Sequence, residues 1–447
     1  MQRTLSSEGF GSRLPDWSSS GVCALCILGG LLATLACASH RTLPAKAAPA
    51  VASPGLSFGA TPMNVGNVGS VPRIFLHAPE ALARNKARWG ANRRQPAVER
   101  LLEDARKALA VKPFSITEKA AVPPSGDKHD YLSLAPYSWP DPRKTDGLPY
   151  VTRDGQINPE RDSIPDHTYF SRIVDLGETL GLAFFFTGDE AYAEHAVRLL
   201  RAFFLDPETR MNPNLRFAQG VRGKENGRPA GIIDTAGMAR LVDGVGLLLG
   251  SESLLAKDRT GLASWFRDYL SWLRESDLGL REGQAKNNHG TWYDVQVASL
   301  ALATGQTEVA AEVLQFSHKR RIGREIEPDG SQPEELQRTR SWHYSVFNLQ
   351  AFVQLASLGE RAGLDLWRYQ TPDGRSIRKA IDYLVPFALG QKRWTALELG
   401  GFKPEALWPI LREAASRLQD AQLAVDADRL GKSDSEHDSE RLRLFLE

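Results

Sequence analysis

Residues 166–205, DHTYFSRIVDLGETLGLAFFFTGDEAYAEHAVRLLRAFFL, decide the fold class. From Asp166 to Phe186 the apolar side chains recur with a period near 3.6, the pattern of a helix with a buried face. Thr187-Gly188-Asp189-Glu190 interrupts that period, and Ala191 to Leu205 takes it up again. Gly188 suits a left-handed helix end, and Asp189-Glu190 suits the positive end of the next helix. The segment reads as a helical hairpin. The same punctuation returns at Ala303-Thr304-Gly305-Gln306-Thr307-Glu308, between a helix from about Thr291 and one running through Glu312 to Arg320. Further helical runs are expected over roughly 79–110, 232–250, 259–275, 341–362, 376–389 and 404–426. Only short pieces such as Arg73-Ile74-Phe75-Leu76 read as strand.

Many antiparallel helical pairs joined by short Gly-containing turns leave two architectures, an open solenoid and an α/α toroid whose inner helices surround a cleft. No repeat of fixed length is visible, which disfavours the solenoid. The expectation is an all-α toroid, an incomplete barrel of helical hairpins. Residues 111–165 are rich in Pro, Gly, Tyr, Trp and Asp and too long for a mere connector. A loop of that kind is expected to lie over the cleft.

The chain has 447 residues, 42% hydrophobic and 24% charged, with 55 Lys and Arg against 54 Asp and Glu. So balanced a charge argues against a nucleic-acid binder, and any anionic ligand must be met by a local patch. All three cysteines, Cys23, Cys26 and Cys37, lie in or beside an apolar run from Val22 to Ala38 that follows Arg3 and Arg13. That run is short for a membrane span and reads as a signal peptide over residues 1–38. Cleavage after Ala38 or after Ala47 fits the small-x-small rule, and either removes every thiol. Lipidation at Cys37 and an uncleaved anchor are the rival readings. Residues 39–70 are Ala/Pro/Gly/Ser-rich and read as a linker, with the catalytic domain over 71–447. The expected product is a periplasmic or secreted monomer that keeps no membrane contact once the signal is cleaved.

Two polar clusters carry the chemistry. Asn287-Asn288-His289-Gly290-Thr291-Trp292-Tyr293-Asp294 opens a helix, and Arg338-Thr339-Arg340-Ser341-Trp342-His343-Tyr344 opens another some fifty positions later. β-Elimination from a uronate polymer poses two problems. The carboxylate beside C5 must be neutralised, and the C5 proton and the leaving C4 oxygen need a base and an acid. Asn288 offers an amide donor and Arg338 a planar fork matched to a carboxylate. His289, His343 and Tyr344 are proton carriers. Arg340 rivals Arg338, since it stands four residues before Tyr344. Asn287, Tyr137 and Trp139 are expected to touch the sugar, although caps and loop packing explain such residues equally well. Trp292 and Trp342 read as filling for the toroid interior. No metal-ligand spacing accompanies either cluster, so no metal and no cofactor are expected.

Lys286-Asn287-Asn288-His289-Gly290-Thr291-Trp292 resembles the Asn-His signature of the alginate-lyase superfamily. Tyr137 to Pro142, Gly147 to Tyr150, Arg153 to Glu160 and Arg338 to Tyr344 resemble the branch grouped as polysaccharide lyase family 38, mannuronate and glucuronan lyases. The resemblance covers most of the chain from Val71 onward. It implies an α/α toroid, elimination without a metal, and Asn288, His289, Arg338, His343 and Tyr344 at the family's catalytic positions. One departure stands out. Aligned on Arg340, the tyrosine of the better-known mannuronate lyases falls at Phe347, which carries no proton; either Tyr344 takes the role, as the family 38 pattern implies, or the chain is inactive. Two further classes stay open: an α/α-toroid glycoside hydrolase using carboxylates such as Asp234, Asp294 or Glu335, and a non-catalytic uronan-binding protein.

Overall fold

A computed structural model describes residues 71–92, 95–431 and 444–445. The expected signal peptide and linker, residues 1–70, lie outside the described residues. The fold is the all-α toroid. Asp166–Thr187 runs beside Met238–Leu247, which runs beside Asn288–Ala303, and this in turn packs along Ser341–Arg361. These four form the inner wall. Glu190–Leu200, Ala256–Glu275 and Thr307–Ser317 back them from outside. Asn288–Ala303 shows why the order is forced: every position except His289 is buried. A helix apolar on all sides has to be surrounded. Among the described residues no helix is long and apolar enough to cross a membrane.

The hairpin turn forms as its residues dictate. Gly188 sits at φ 71° and its N–H donates to Phe184 O at 2.8 Å, closing the first helix, while Asp189 caps the second by accepting from Ala191 N. Two long helical expectations break. The run over 79–110 divides into Pro79–Asn92 and Pro96–Ala108, because Pro96 has no N–H to continue a helix and instead starts one. The run over 404–426 divides into Trp408–Leu418 and Ala421–Leu430, where Gln419 turns left-handed and Asp420 accepts from Gln422 N and Leu423 N. Arg73 to Leu76 makes no strand. Its amides, Phe75 N and Leu76 N, donate to the buried Asp243 carboxylate at 2.8 and 3.0 Å.

The long segment before Pro165 contributes two small sheets. Leu132–Leu134 pairs in parallel with Phe217–Gly220, and Ser138–Trp139 pairs antiparallel with Val151–Thr152. The second pair brings residues 137 and 154 to the same end of the inner helices, as its side-chain contacts show below. Near the C-terminus Leu444 and Phe445 are buried, and the Phe445 ring stacks on His77 with centroids 4.0 Å apart.

Candidate active site

Asn288 begins the inner helix Asn288–Ala303, and its start is anchored from beneath. Arg321, 1% exposed, donates to Asp294 Oδ2 from Nε at 2.8 Å and to the carbonyls of Ala285 and Gly283 at 2.6 and 2.8 Å. The guanidinium passes so close to Gly290 that a Cβ there would sit 2.1 Å from its Nη1. Behind it, Glu325 accepts from Thr291 Oγ1 at 2.6 Å. Burial pushes Glu325 up to about 8, against the pull of Arg321. The helix start is thus held by a fully buried ion pair, Arg321 with Asp294, which locks one geometry only when each partner is satisfied.

The two clusters meet at Glu335, on the short helix Pro333–Leu336. Its buried carboxylate accepts from Asn288 N at 2.7 Å and from Asn288 Nδ2 at 2.8 Å. Its own backbone carbonyl accepts from Arg338 N at 3.1 Å. Burial raises the Glu335 pKa, while the Asn288 bonds and the charges of Arg338 and His289 oppose that rise. One hydrogen of the Asn288 amide is therefore committed to Glu335. His289, the partly open position of the helix, holds Glu282 Oε1 through Nδ1 at 2.7 Å. That contact leaves Nε2 as the ring nitrogen for other work.

Arg338 stacks over the Tyr344 ring, its guanidinium carbon 3.8 Å from the centroid. The same guanidinium grips Asp154 from the long loop, with Nη2 2.6 Å and Nε 3.1 Å from Oδ1. Thr339 adds its N–H and hydroxyl to Asp154 Oδ2. Burial pushes the Asp154 carboxyl up, but the Arg338 and Thr339 hydrogen bonds outweigh it and hold the group down at about 2. Tyr344, on the first turn of Ser341–Arg361, brings its hydroxyl 2.5 Å from that of Tyr137. Burial pushes the Tyr344 phenol well up, and Arg338 above its ring works the other way.

The structure brings Asn288, His289, Arg338, Tyr344 and Tyr137 into one connected set. Arg340 takes a different place: its backbone pairs with Glu398, and its guanidinium lies against Gly400 with the buried Nε unpaired. His343 is exposed, its N–H donating to Glu398 and its ring parallel to Phe347 at 6.0 Å. Trp139 donates to Gln156 O and lies under Arg153, while Asn287 occupies the N-cap without a side-chain cap bond. Trp292 and Trp342 are buried packing, the latter donating to Lys403 O. The carboxylates weighed for hydrolysis all have structural partners. Asp234 accepts from Tyr131, Ser133 and Gln219, Asp294 from Arg320 and Arg321, and Glu335 from Asn288.

Comparison with known proteins decides the family. The alginate lyase family model matches residues 115–394. An alginate lyase of Bacteroides ovatus superposes with a TM-score of 0.80 at 37% identity, over 84% of this chain and 100% of that one. This chain belongs to the alginate lyase family. It is a polysaccharide lyase. Alginate lyase A1-III of Sphingomonas species A1 shares the fold, with a TM-score of 0.51 at 16% identity over 80% of this chain and 92% of that one. A variant of A1-III complexed with tetrasaccharide gives a TM-score of 0.52 at 16% identity, over 78% and 90%. Among curated proteins no significant sequence match is found.

Sequence reasoning did not single out the acidic partners of this candidate site, Asp154, Glu282 and, in this role, Glu335. Asp154 stood inside a recognised stretch but carried no sign that it would reach across 184 positions to Arg338. Arg228 was missed as well. Its Nη2 donates to Gln219 Oε1 at 2.6 Å, and it stands close enough to Glu282 and Arg338 to feel their charges. Gln219 is buried at φ 50°, an uncommon conformation for a residue with a side chain. Such strained positions gather at working sites.

Proposed function

We propose that this lyase cleaves a uronate polymer, mannuronate-rich alginate or glucuronan, by β-elimination between C4 and C5. Tyr344 is the proton carrier, and Asn288 and Arg338 meet the carboxylate at C5. The observation that carries the reading is the Arg338 guanidinium 3.8 Å above the Tyr344 ring, a cation that favours ionisation of the phenol beneath it. The ionised Tyr344 oxygen takes the C5 proton, the C5–H electron pair forms the C4=C5 double bond, and the C4–O bond breaks. The leaving oxygen then takes the proton back from Tyr344. Negative charge grows on the carboxylate as C5 loses its proton, and there the free hydrogen of the Asn288 amide and the remaining guanidinium hydrogens of Arg338 act. β-Mannuronate and β-glucuronate both place the C5 proton and C4 oxygen on one face, so one phenol serves both steps. Guluronate places them on opposite faces and needs a second group, for which His289 Nε2 is positioned by Glu282. The signal peptide read from the sequence over residues 1–38 favours work outside the cytoplasm.

The test is to incubate the protein with polymannuronate, polyguluronate, glucuronan and hyaluronan while following ultraviolet absorbance. A rise with polymannuronate or glucuronan is expected, since elimination makes a conjugated uronide. Chain shortening without absorbance, or no action on any of the four, overturns the proposal.

A further inference from the structure

A cavity of about 740 Å³ lies between the first and last helices of the inner wall, Asp166–Thr187 and Ser341–Arg361, and is lined as well from Pro96–Ala108 and Trp408–Leu418. That volume suits a small-molecule site. Its lining on the last helix runs from Gln350 to Ser357. At a rise of 1.5 Å per residue, this stretch lies roughly 9–20 Å further along the helix than Tyr344. Leu76, Leu176, Val353 and Ile410 give the cavity apolar walls, and the stacked rings of His77 and Phe445 add to them. The charged side chains on the lining are already paired. Arg240 donates to Asp175 Oδ1 and Glu178 Oε2 at 3.0 and 2.6 Å. Lys107 stands 2.9 Å from Glu103 Oε1 and 3.7 Å from Asp104 Oδ1. Glu413 is held between Arg417 at 3.2 Å and His77 at 3.4 Å. Two neutral groups are unspent. Ser357, 1% exposed, and Gln354 stand three positions apart on one face of the helix, and Ser357 Oγ and Gln354 Oε1 are buried without a hydrogen-bond partner. Buried polar groups are normally paired, and an unpaired one destabilises the fold.

We propose that this cavity binds an uncharged, hydroxyl-rich ligand the size of a sugar or polyol, one hydroxyl donating to Gln354 Oε1 and another sharing a hydrogen bond with Ser357 Oγ. Gln354 Oε1 only accepts, so its partner has to donate, which a carboxylate does not. Hydroxyls both donate and accept, and the apolar walls suit the C–H faces of a sugar ring. The ion pairs leave no free cation for a uronate and no free carboxylate for an amine. This inference is independent of the proton step assigned to Tyr344, since the cavity lies further down the helix.

The probes are D-mannose and mannitol, with sodium D-mannuronate as the charged counterpart, each titrated into the full protein by calorimetry. Saturable binding of a neutral probe is expected, undisturbed by excess mannuronate. Gln354→Leu and Ser357→Ala are each expected to weaken it by about three- to tenfold, the worth of one neutral hydrogen bond. Turnover of the uronate polymer should stay within about twofold in both variants, because neither group touches the candidate active site. Melting temperatures near wild type confirm that the variants fold. Ser357→Ala is the smaller change and carries the test if Gln354→Leu does not fold. Three results overturn the inference. One is no saturable binding of either neutral probe, which makes the cavity a water-filled void. Another is binding that both variants leave intact, which puts the probe elsewhere. The third is displacement of the neutral probe by mannuronate, which makes it a ligand of the uronate site.

Discussion

Tyr344 is packed under Arg338 and hydrogen-bonded at its oxygen, so Tyr344→Phe removes the hydroxyl proposed as the proton carrier and leaves the packing in place. Turnover is expected to fall by roughly 10²–10⁴, the range of general acid–base catalysis, with substrate binding largely kept. Steady-state kinetics check this, and near-normal turnover would move the proton step to His289. Asn288 has two duties in the proposed scheme, since one amide hydrogen steadies the buried Glu335 and the other is the donor proposed for the C5 carboxylate. Asn288→Ala is expected to lower kcat by about 10²–10³, the usual effect of losing one oxyanion donor. It should also lower stability by about 1–3 kcal/mol, because a buried carboxylate loses a partner. A raised KM with kcat unchanged would make Asn288 a binding residue only. At this scale the residue types were legible in the sequence, as Asn288, His289, Arg338 and Tyr344 show. Their partners were not: Asp154, Glu282 and Glu335 are ordinary acidic residues until folding sets them against those four.

The element that matters most is the start of the helix Asn288–Ala303, where Arg321 crosses Gly290. Any side chain at 290 meets that guanidinium and the Ala285 carbonyl, both inside 2.5 Å of a Cβ. Gly290→Ala is therefore expected to destabilise the protein by about 1–3 kcal/mol and lower Tm by a few degrees. Activity should fall further than stability, since Asn288 and His289 ride on the displaced turn. Calorimetry beside kinetics checks it, and a variant of normal Tm and turnover would refute the close approach. Elements with local signals were readable in advance. Gly188 and Asp189 marked a hairpin, and the structure forms it there. Pro96 and Asp420 carried equally local signals for the two helix breaks, outweighed in the reading by longer apolar periodicity.

Across the whole molecule, buried carboxyls give the stability a pH dependence. Burial pushes Glu325 up to about 8 and Asp243 up to about 7, above their unfolded values near 4. The folded state then binds more protons than the unfolded chain between those limits. Each group's contribution is full below about pH 4 and is lost as pH rises through its folded value, with a slope of at most about 1.4 kcal/mol per pH unit. The melting temperature is expected to decline from pH 5 to pH 8, and Glu325→Gln should flatten that decline. A Tm that rises over this interval in wild type would contradict the assignment.

The helical hairpins, the toroid built from them and the residue types at the openings of two inner helices are legible in the chain alone. Those properties depend on periodicity, caps and glycine turns, which act over a few neighbouring positions. Folding, not local sequence, sets Arg338 rather than Arg340 over Tyr344, joins the two clusters at Glu335, and brings Tyr137 and Asp154 down from the long loop to meet them. Each of these contacts joins residues up to some two hundred positions apart. Their pairing is set by the packing of whole helices and the path of an irregular loop, and neither leaves a local trace in the chain.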